Sequence, residues 1–173
     1  TPGLAWMLAT VGHFGADKFS DYWKTLVKGG AKIASGWTEA YNTDFSAGEG
    51  KGAYPIVVSY ASSPSYTVSK DGASTTTAAL LDTAFRQVEY AGVLKGAANP
   101  AGGQAFINWM LSKNVQADIP KKMYMYPVDS SVQLPEALAK FGPLAEKPVE
   151  VAPNKIAAER EQWLKLWASA VGK

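Results

Sequence analysis

The sequence predicts an α/β layered fold. Short β-branched and aromatic runs alternate with segments of helical period, and Gly, Ser, Asn and Pro clusters separate the two kinds. At 173 residues, 47% of them hydrophobic, the chain is also long enough to bury a proper core. Pro2 at a first turn, followed by Leu4, Met7, Leu8, Val11 and Phe14, predicts a helix. Asp17 reads as the cap of a second, with Phe19, Tyr22, Trp23, Leu26 and Val27 on one side and Gly29-Gly30 as its stop. Ala31 to Ala34 is a strand candidate, and Gly36 to Phe45 reads as a turn running into a short helix.

The run SAGEGKGA (46–53) is a flexible surface connection in this reading. Its three glycines lack the G-K-[ST] ending of a phosphate loop and precede a strand candidate instead of following one. Ile56 to Tyr60 is the clearest buried strand, ended by Ser62-Ser63-Pro64, and 69–77 is a polar loop. Phe85 to Leu94 favours a strand. Asn99-Pro100 opens a helix whose buried side is Phe106, Trp109 and Met110. Met123 to Val128 is strand-like up to Pro127. The last segment is an amphipathic helix with Ile156, Leu164, Trp167 and Val171 on one stripe, and Trp163 and Ala170 beside it.

Composition argues against chemistry. There is no cysteine and a single histidine, so thiolate catalysis, disulfides and thiolate metal sites are excluded, and no enzyme is expected. His13 has no G-x-S-x-G partner and reads as structural, at a helix C-terminus. Glu39 and Asp44 are five apart and are expected to share no helical face, so no hard-cation site is expected of them. The net charge of +2, with the two signs interleaved, leaves no basic footprint for nucleic acid. No stretch approaches the ~20 apolar residues of a membrane helix.

The aromatics differ in kind. Trp37, Tyr41, Tyr54, Tyr60 and Tyr66 sit where apolar runs meet turns, beside Ser, Gly and Pro. Such positions suit a cleft, and a π-rich wall suits a flat, cationic heterocycle. Tyr124 and Tyr126 are separated by Met125, and the expectation is that one faces each side. The same placements also suit boundary aromatics that fill a core, and the residues alone leave both accounts standing. The Thr1-Pro2-Gly3 turn presents the N–H groups of a helix start, which any helix start does.

Six stretches together resemble the thiamine-binding proteins of bacterial ABC importers, within the two-lobed, hinge-closing solute-binding proteins. They are TPGLAWMLAT (1–10), GWTEAY (36–41), VVSYASSPSY (57–66), FRQVEYAGVLKGAANP (85–100), ADIPKKMYMYPV (117–128) and IAAEREQWLKLW (156–167). The resemblance implies a periplasmic-binding-protein-like type II α/β fold, present mainly as the second lobe. Residues 1–69 would be the α/β part of that lobe, 70–126 a hinge-crossing segment contributing to the first lobe, and 127–173 a helical part packing on the second. Relatives of this kind are about twice as long, so the chain reads as a C-terminal portion, with the N-terminal lobe separate or deleted.

By motif, the resemblance places Trp37, Tyr60, Tyr66 and Tyr124 around thiamine or one of its phosphates in the crevice between lobes. Relatives often have Trp where Tyr124 stands. Ser59 and Ser63 would donate hydrogen bonds, and the turn at Thr1 and Gly3 would lie near a ligand phosphate. It implies no cofactor, a membrane permease as partner, and a periplasmic or lipid-anchored extracytoplasmic location. The runner-up is a ferric-ion carrier of the same fold class, against which stands the separation of Tyr124 from Tyr126. A thiamine-processing enzyme and an inert structural domain are the readings from other classes.

Overall fold

The computed structural model describes residues 2–173, so the expectation for Thr1 lies outside the described residues. The chain divides into two compact units. One comprises 2–61, Leu80–Gln87 and Leu144–Lys173, and the other Ser62–Ala79 and Val88–Pro143.

The first unit is built on three helices: α1 (Pro2–Phe14), α2 (Phe19–Lys28) and, named here as the last of six, α6 (Pro153–Val171). Met7, Leu8 and Val11 of α1 pack with Phe19 and Trp23 of α2 and with Trp163 and Val171 of α6 to form the core. Phe19 and Trp163 are almost wholly removed from solvent. One buried polar pair stitches the helices: the Trp23 indole N–H donates to Thr10 Oγ1 at 2.9 Å, and that hydroxyl donates to the Met7 carbonyl at 2.7 Å. Buried polar groups are tolerated when satisfied in this way.

α2 ends as its glycines predict, with Gly29 N–H on the Thr25 carbonyl and Gly30 at φ 92°. Its start differs from expectation. Gly15, at φ 86°, makes the turn, its carbonyl takes the Lys18 and Phe19 N–H groups, and Asp17 caps nothing. In α6 the buried ring is Trp163, and Leu164, expected in the stripe, is exposed. The rest of the stripe is where it is expected, with Ile156, Trp167, Ala170 and Val171 at the core beside Trp163, and Trp167 meets Trp23 of α2 edge to face at 5.7 Å.

The second unit holds α3 (Pro100–Met110), α4 (Lys113–Met123) and α5 (Glu136–Phe141). Asn99 caps α3 as expected, its Oδ1 accepting from Gly102 N–H at 2.9 Å. The sequence predicts no element over 113–122, and α5 falls in the 127–173 part expected to be helical. α4 contains Pro120 inside the helix, where a proline ordinarily removes an intrahelical bond and disfavours the helix; here it is fully buried. Gln116 of α4 is buried and works as a clamp. Its amide donates to the Met110 carbonyl and accepts the Val128 N–H, both at 2.8 Å. α5 sets the buried Leu138 against a single 3-10 turn, Ser63–Tyr66.

The expected strands are the main correction. Among the described residues there is no strand, only isolated bridges at Phe45–Tyr54, Val68–Thr75 and Phe85–Val149. Ala31 to Ala34, Ile56 to Tyr60 and most of Phe85 to Leu94 are without ladder partners, and Met123 closes α4 instead of opening a strand. A strand exists only where another extended segment lies alongside about 4.8 Å away, and sequence periodicity does not report that neighbour. Ile56, called buried, is 73% exposed. Phe106 and Trp109, called the buried side of α3, are exposed too, and no residue of α3 is buried.

Trp163→Ala should therefore cost the first unit about 3–5 kcal/mol. Trp109→Ala, at an exposed position, should cost the chain under about 1 kcal/mol. Urea unfolding of both variants checks the contrast, and equal losses would contradict this assignment of the core.

Candidate functional site

The first unit gathers aromatic rings on the segment after α2. Glu39–Asp44 is a π-helical turn, closed by the Phe45 N–H on the Ala40 carbonyl at 3.0 Å. Such i→i+5 turns are rare and recur at functional sites. Trp37 just before it stacks on Tyr41 within it, with centroids 4.8 Å apart and planes 15° from parallel. Tyr60 stands 6.3 Å from Trp37 at a tilt of 49°, and Tyr41 is followed by Phe45 at 5.5 Å. The Trp37 indole N–H donates to Ser59 Oγ at 2.8 Å, fixing the plane of the ring. Trp37 is half-buried and Tyr60 is 48% exposed, so neither ring is sealed beneath neighbours.

A charged triad holds this turn. Lys32 Nζ lies 2.7 Å from Glu39 Oε1 and 2.8 Å from Asp44 Oδ2. Glu39 Oε2 also accepts the backbone N–H and the hydroxyl of Ser35. This overturns the expectation that Glu39 and Asp44 share no face. Five residues make little more than one turn of a π-helix, so both carboxylates come to the same side. The Lys32 ammonium and the Ser35 groups hold the Glu39 carboxyl down at about 2, while the carboxylates raise Lys32 above the ordinary lysine range. The three side chains sum to one negative charge beside the Trp37–Tyr41 stack.

The glycine run is a structural part of this site and not the loose connection expected of it. Gly50 N–H donates to the Asn42 carbonyl at 2.7 Å, and the Gly48 and Gly52 N–H groups both donate to Phe45 O. A Cβ at Gly48 would overlap the Tyr41 carbonyl, and one at Gly52 the Asp44 carbonyl. Only glycine lets the loop close on the end of the π-turn.

The second unit brings Tyr66 and Tyr124 together. Their rings meet edge to face at 4.6 Å and 86°. Tyr124, at φ 60°, ends α4 in the left-handed region. Two side chains of the 62–66 segment satisfy the backbone at that helix end: the Tyr66 hydroxyl donates to Pro120 O, and Ser62 Oγ donates to Tyr124 O, each at 3.0 Å. Tyr66 thus offers a ring surface and not a free donor. Its hydroxyl is raised above the usual phenol value by burial and then by Tyr124. Ser63 lies in the same 3-10 turn. Tyr126 and Tyr124 have different partners: the Tyr126 hydroxyl donates to Gly142 O at 2.6 Å, and burial, then the nearby Tyr66, pushes it up to about 12.

Gly3 lies in the first turn of α1, exposed and with open space around it. His13 is at the other end of that helix, exposed and edge-on to Phe14 at 4.6 Å. Among the described residues no group of His, Asp or Glu could hold a metal ion, and no helix is long and apolar enough to cross a membrane. Sequence reasoning missed the Lys32 triad, Ser62 and Gln116. The triad has a signal only to a reader testing i, i+5 spacing.

Curated relatives settle the kinship. The chain is 32% identical over 174 residues to a thiamine-binding periplasmic protein of Escherichia coli, which covers all of this chain and 51% of that protein. It is 31% identical to the proteins of the same name from Salmonella typhimurium and Brucella melitensis, again over its whole length. This chain is a homologue of thiamine-binding periplasmic proteins. The resemblance read from the six stretches is borne out, and the relatives are named as binding proteins, in line with a chain that is not an enzyme. The chain spans about half the length of the curated relatives it matches. No family model matches it, and no solved structure does.

Two outcomes check this geometry. The Glu39 carboxyl, followed by carbon NMR, should titrate near 2, well under its ordinary 4.5. Because its folded value is depressed, its stabilising contribution is complete above pH 4.5 and is lost as pH falls toward 2; a midpoint at the ordinary value means the triad is not made. Gly52→Ala should cost about 1–3 kcal/mol through overlap with the backbone. Gly3→Ala, a helical position with open space, should be stabilising by about 0.5–1 kcal/mol.

Proposed function

We propose that this chain binds thiamine or a thiamine phosphate outside the cytoplasm, as part of a solute-binding protein that delivers the vitamin to an ABC importer. The observation that carries the reading is the Trp37 cluster. Open aromatic faces stand beside a turn of net negative charge, and thiamine is a flat cation. The relatives' printed names supply the ligand class and the periplasmic setting.

In this reading Trp37 and Tyr60 are aromatic contacts to the ligand. Ser59 sets the indole plane, and Gly3 in the first turn of α1 offers its N–H to a phosphate. Tyr66, Tyr124 and Ser63 present surface of the same kind in the other unit, and each set is tested by itself. The whole protein would have the two-lobed type II α/β architecture, in which the unpaired extended segments become strands. Binding would then favour a closed form recognised by a membrane permease, by as much as the ligand prefers closed over open. No cofactor is required, since nothing in the cycle is chemical.

Tryptophan fluorescence titrated with thiamine, its monophosphate and its diphosphate tests this. Saturable quenching is expected with at least one of the three. Trp37→Ala should remove most of the signal and weaken affinity about tenfold, the equivalent of ~1.4 kcal/mol. Tyr66→Ala and Tyr124→Ala report separately on the second cluster. No quenching by any form at millimolar concentration overturns the reading, and an unaltered titration removes Trp37 from the site.

A further inference from the structure

An aromatic ring has two faces, and a ligand that stacks on it needs one of them free. One face of Trp37 is already taken. Tyr41 lies over it with planes 15° apart and centroids at 4.8 Å, a face-to-face arrangement and not an edge contact. The indole N–H is engaged as well, on Ser59 Oγ at 2.8 Å. What Trp37 keeps for a ligand is its other face. A ring placed as Tyr41 is can be a gate, which swings out to let a ligand in, or a backing, which stays. The surroundings of Tyr41 decide between the two. It sits inside the Glu39–Asp44 π-turn, whose two ends are tied together from outside, since Lys32 Nζ lies 2.7 Å from Glu39 and 2.8 Å from Asp44. Ser35 holds Glu39 a second time through its N–H and hydroxyl. Gly48 packs so closely on the Tyr41 carbonyl that a Cβ there would overlap it. The Tyr41 ring also meets the buried Phe45 at 5.5 Å. A ring held at its backbone and between two other rings is a wall and not a gate.

We propose that Tyr41 and Lys32 are positioning residues of the Trp37 site: Tyr41 closes one face of the indole, Lys32 holds Tyr41 in that place, and a flat cationic ligand is admitted to the remaining face alone. This rests on the ligand reading given under the proposed function, and adds which face is used and what keeps it so. It also gives Lys32 a role that charge does not explain. The triad is net negative and draws a cation, but the Lys32 and Glu39 side chains are 41% and 36% exposed, so water and salt screen that attraction. Placement of a ring is not screened. The two roles differ in sign for one substitution. Lys32→Met takes the triad from one net negative charge to two. Where the triad serves only as charge, a cation then binds more tightly; where Lys32 serves to place Tyr41, it binds more weakly.

The experiment has two readouts. One is thiamine binding followed by tryptophan fluorescence. The other, without ligand, is the near-ultraviolet circular dichroism of the Trp37 stack, isolated in each background by subtracting the Trp37→Phe spectrum. Tyr41→Ala and Lys32→Met should each weaken thiamine binding about fivefold and flatten the difference band, loss of one aromatic pair being of that order. Lys32→Arg, which keeps the pairing with both carboxylates, should bring both readouts back to within about twofold of the wild type. The double variant should bind no worse than the weaker single one, because both changes act through one ring. Lys24→Met, which removes the same charge from the exposed Asp21 pair on α2, should alter neither readout. Tighter thiamine binding by Lys32→Met makes the triad a charge only, and tighter binding by Tyr41→Ala makes the ring a gate; either result overturns the inference. So does a difference band that Lys32→Met leaves intact, a readout that stands even where Tyr41→Ala disturbs the fold. Where the wild type binds no thiamine, the ligand reading falls by itself, and the ligand-free band still decides whether Lys32 holds Tyr41 on Trp37.

Discussion

An extended backbone leaves its N–H and C=O groups facing sideways, and they must find a neighbour or water. That constraint governs most of this chain outside its helices. Helices satisfy their own backbones, so α1, α2 and α6 close a core, with Ile33, Phe85 and Val151 from other segments packed against it. The runs at 55–60 and 86–94 cannot do this. They keep the extended shape their β-branched residues favour, with exposed side chains such as Ile56 and Tyr90.

The aromatic clusters are held by polar groups acting on each ring's surroundings. Ser59 takes the indole N–H of Trp37, and the Lys32 triad and the glycine run fix the π-turn that carries Tyr41. Tyr66 and Ser62 satisfy the backbone at the end of α4, which leaves Tyr124 turned against Tyr66. A ring whose polar atom is already engaged offers a ligand its face or edge, so selection falls on shape and charge. A flat cation meets both demands in the Trp37 cluster, where the adjacent triad is net negative. Exposure of the carboxylates moderates this pull, because water and salt screen it.

Much of the site was legible because its aromatics sit at turns, where Gly, Ser and Pro exclude them from periodic elements. Trp37 and Tyr60 come together in one unit, and Tyr66 and Tyr124 in the other. The carboxylate pair was misjudged because an α-helical period was assumed for a segment that adopts the wider π-turn. The glycines were read as slack, when each stands against a carbonyl of that turn. α4 does not read as a helix in the sequence because Pro120, ordinarily a helix breaker, lies inside it.

Sequence alone determined where helices begin at Pro2 and Asn99, where α2 stops, and which family the residues resemble, because caps, breakers and motif order are local properties. Only the tertiary structure decided which apolar faces are covered. Trp163 is buried and Trp109 is not, although each lies in a helix of apolar pattern. Periodicity describes the face an element presents, while burial depends on whether another element arrives to meet it, and that is a property of the assembled chain.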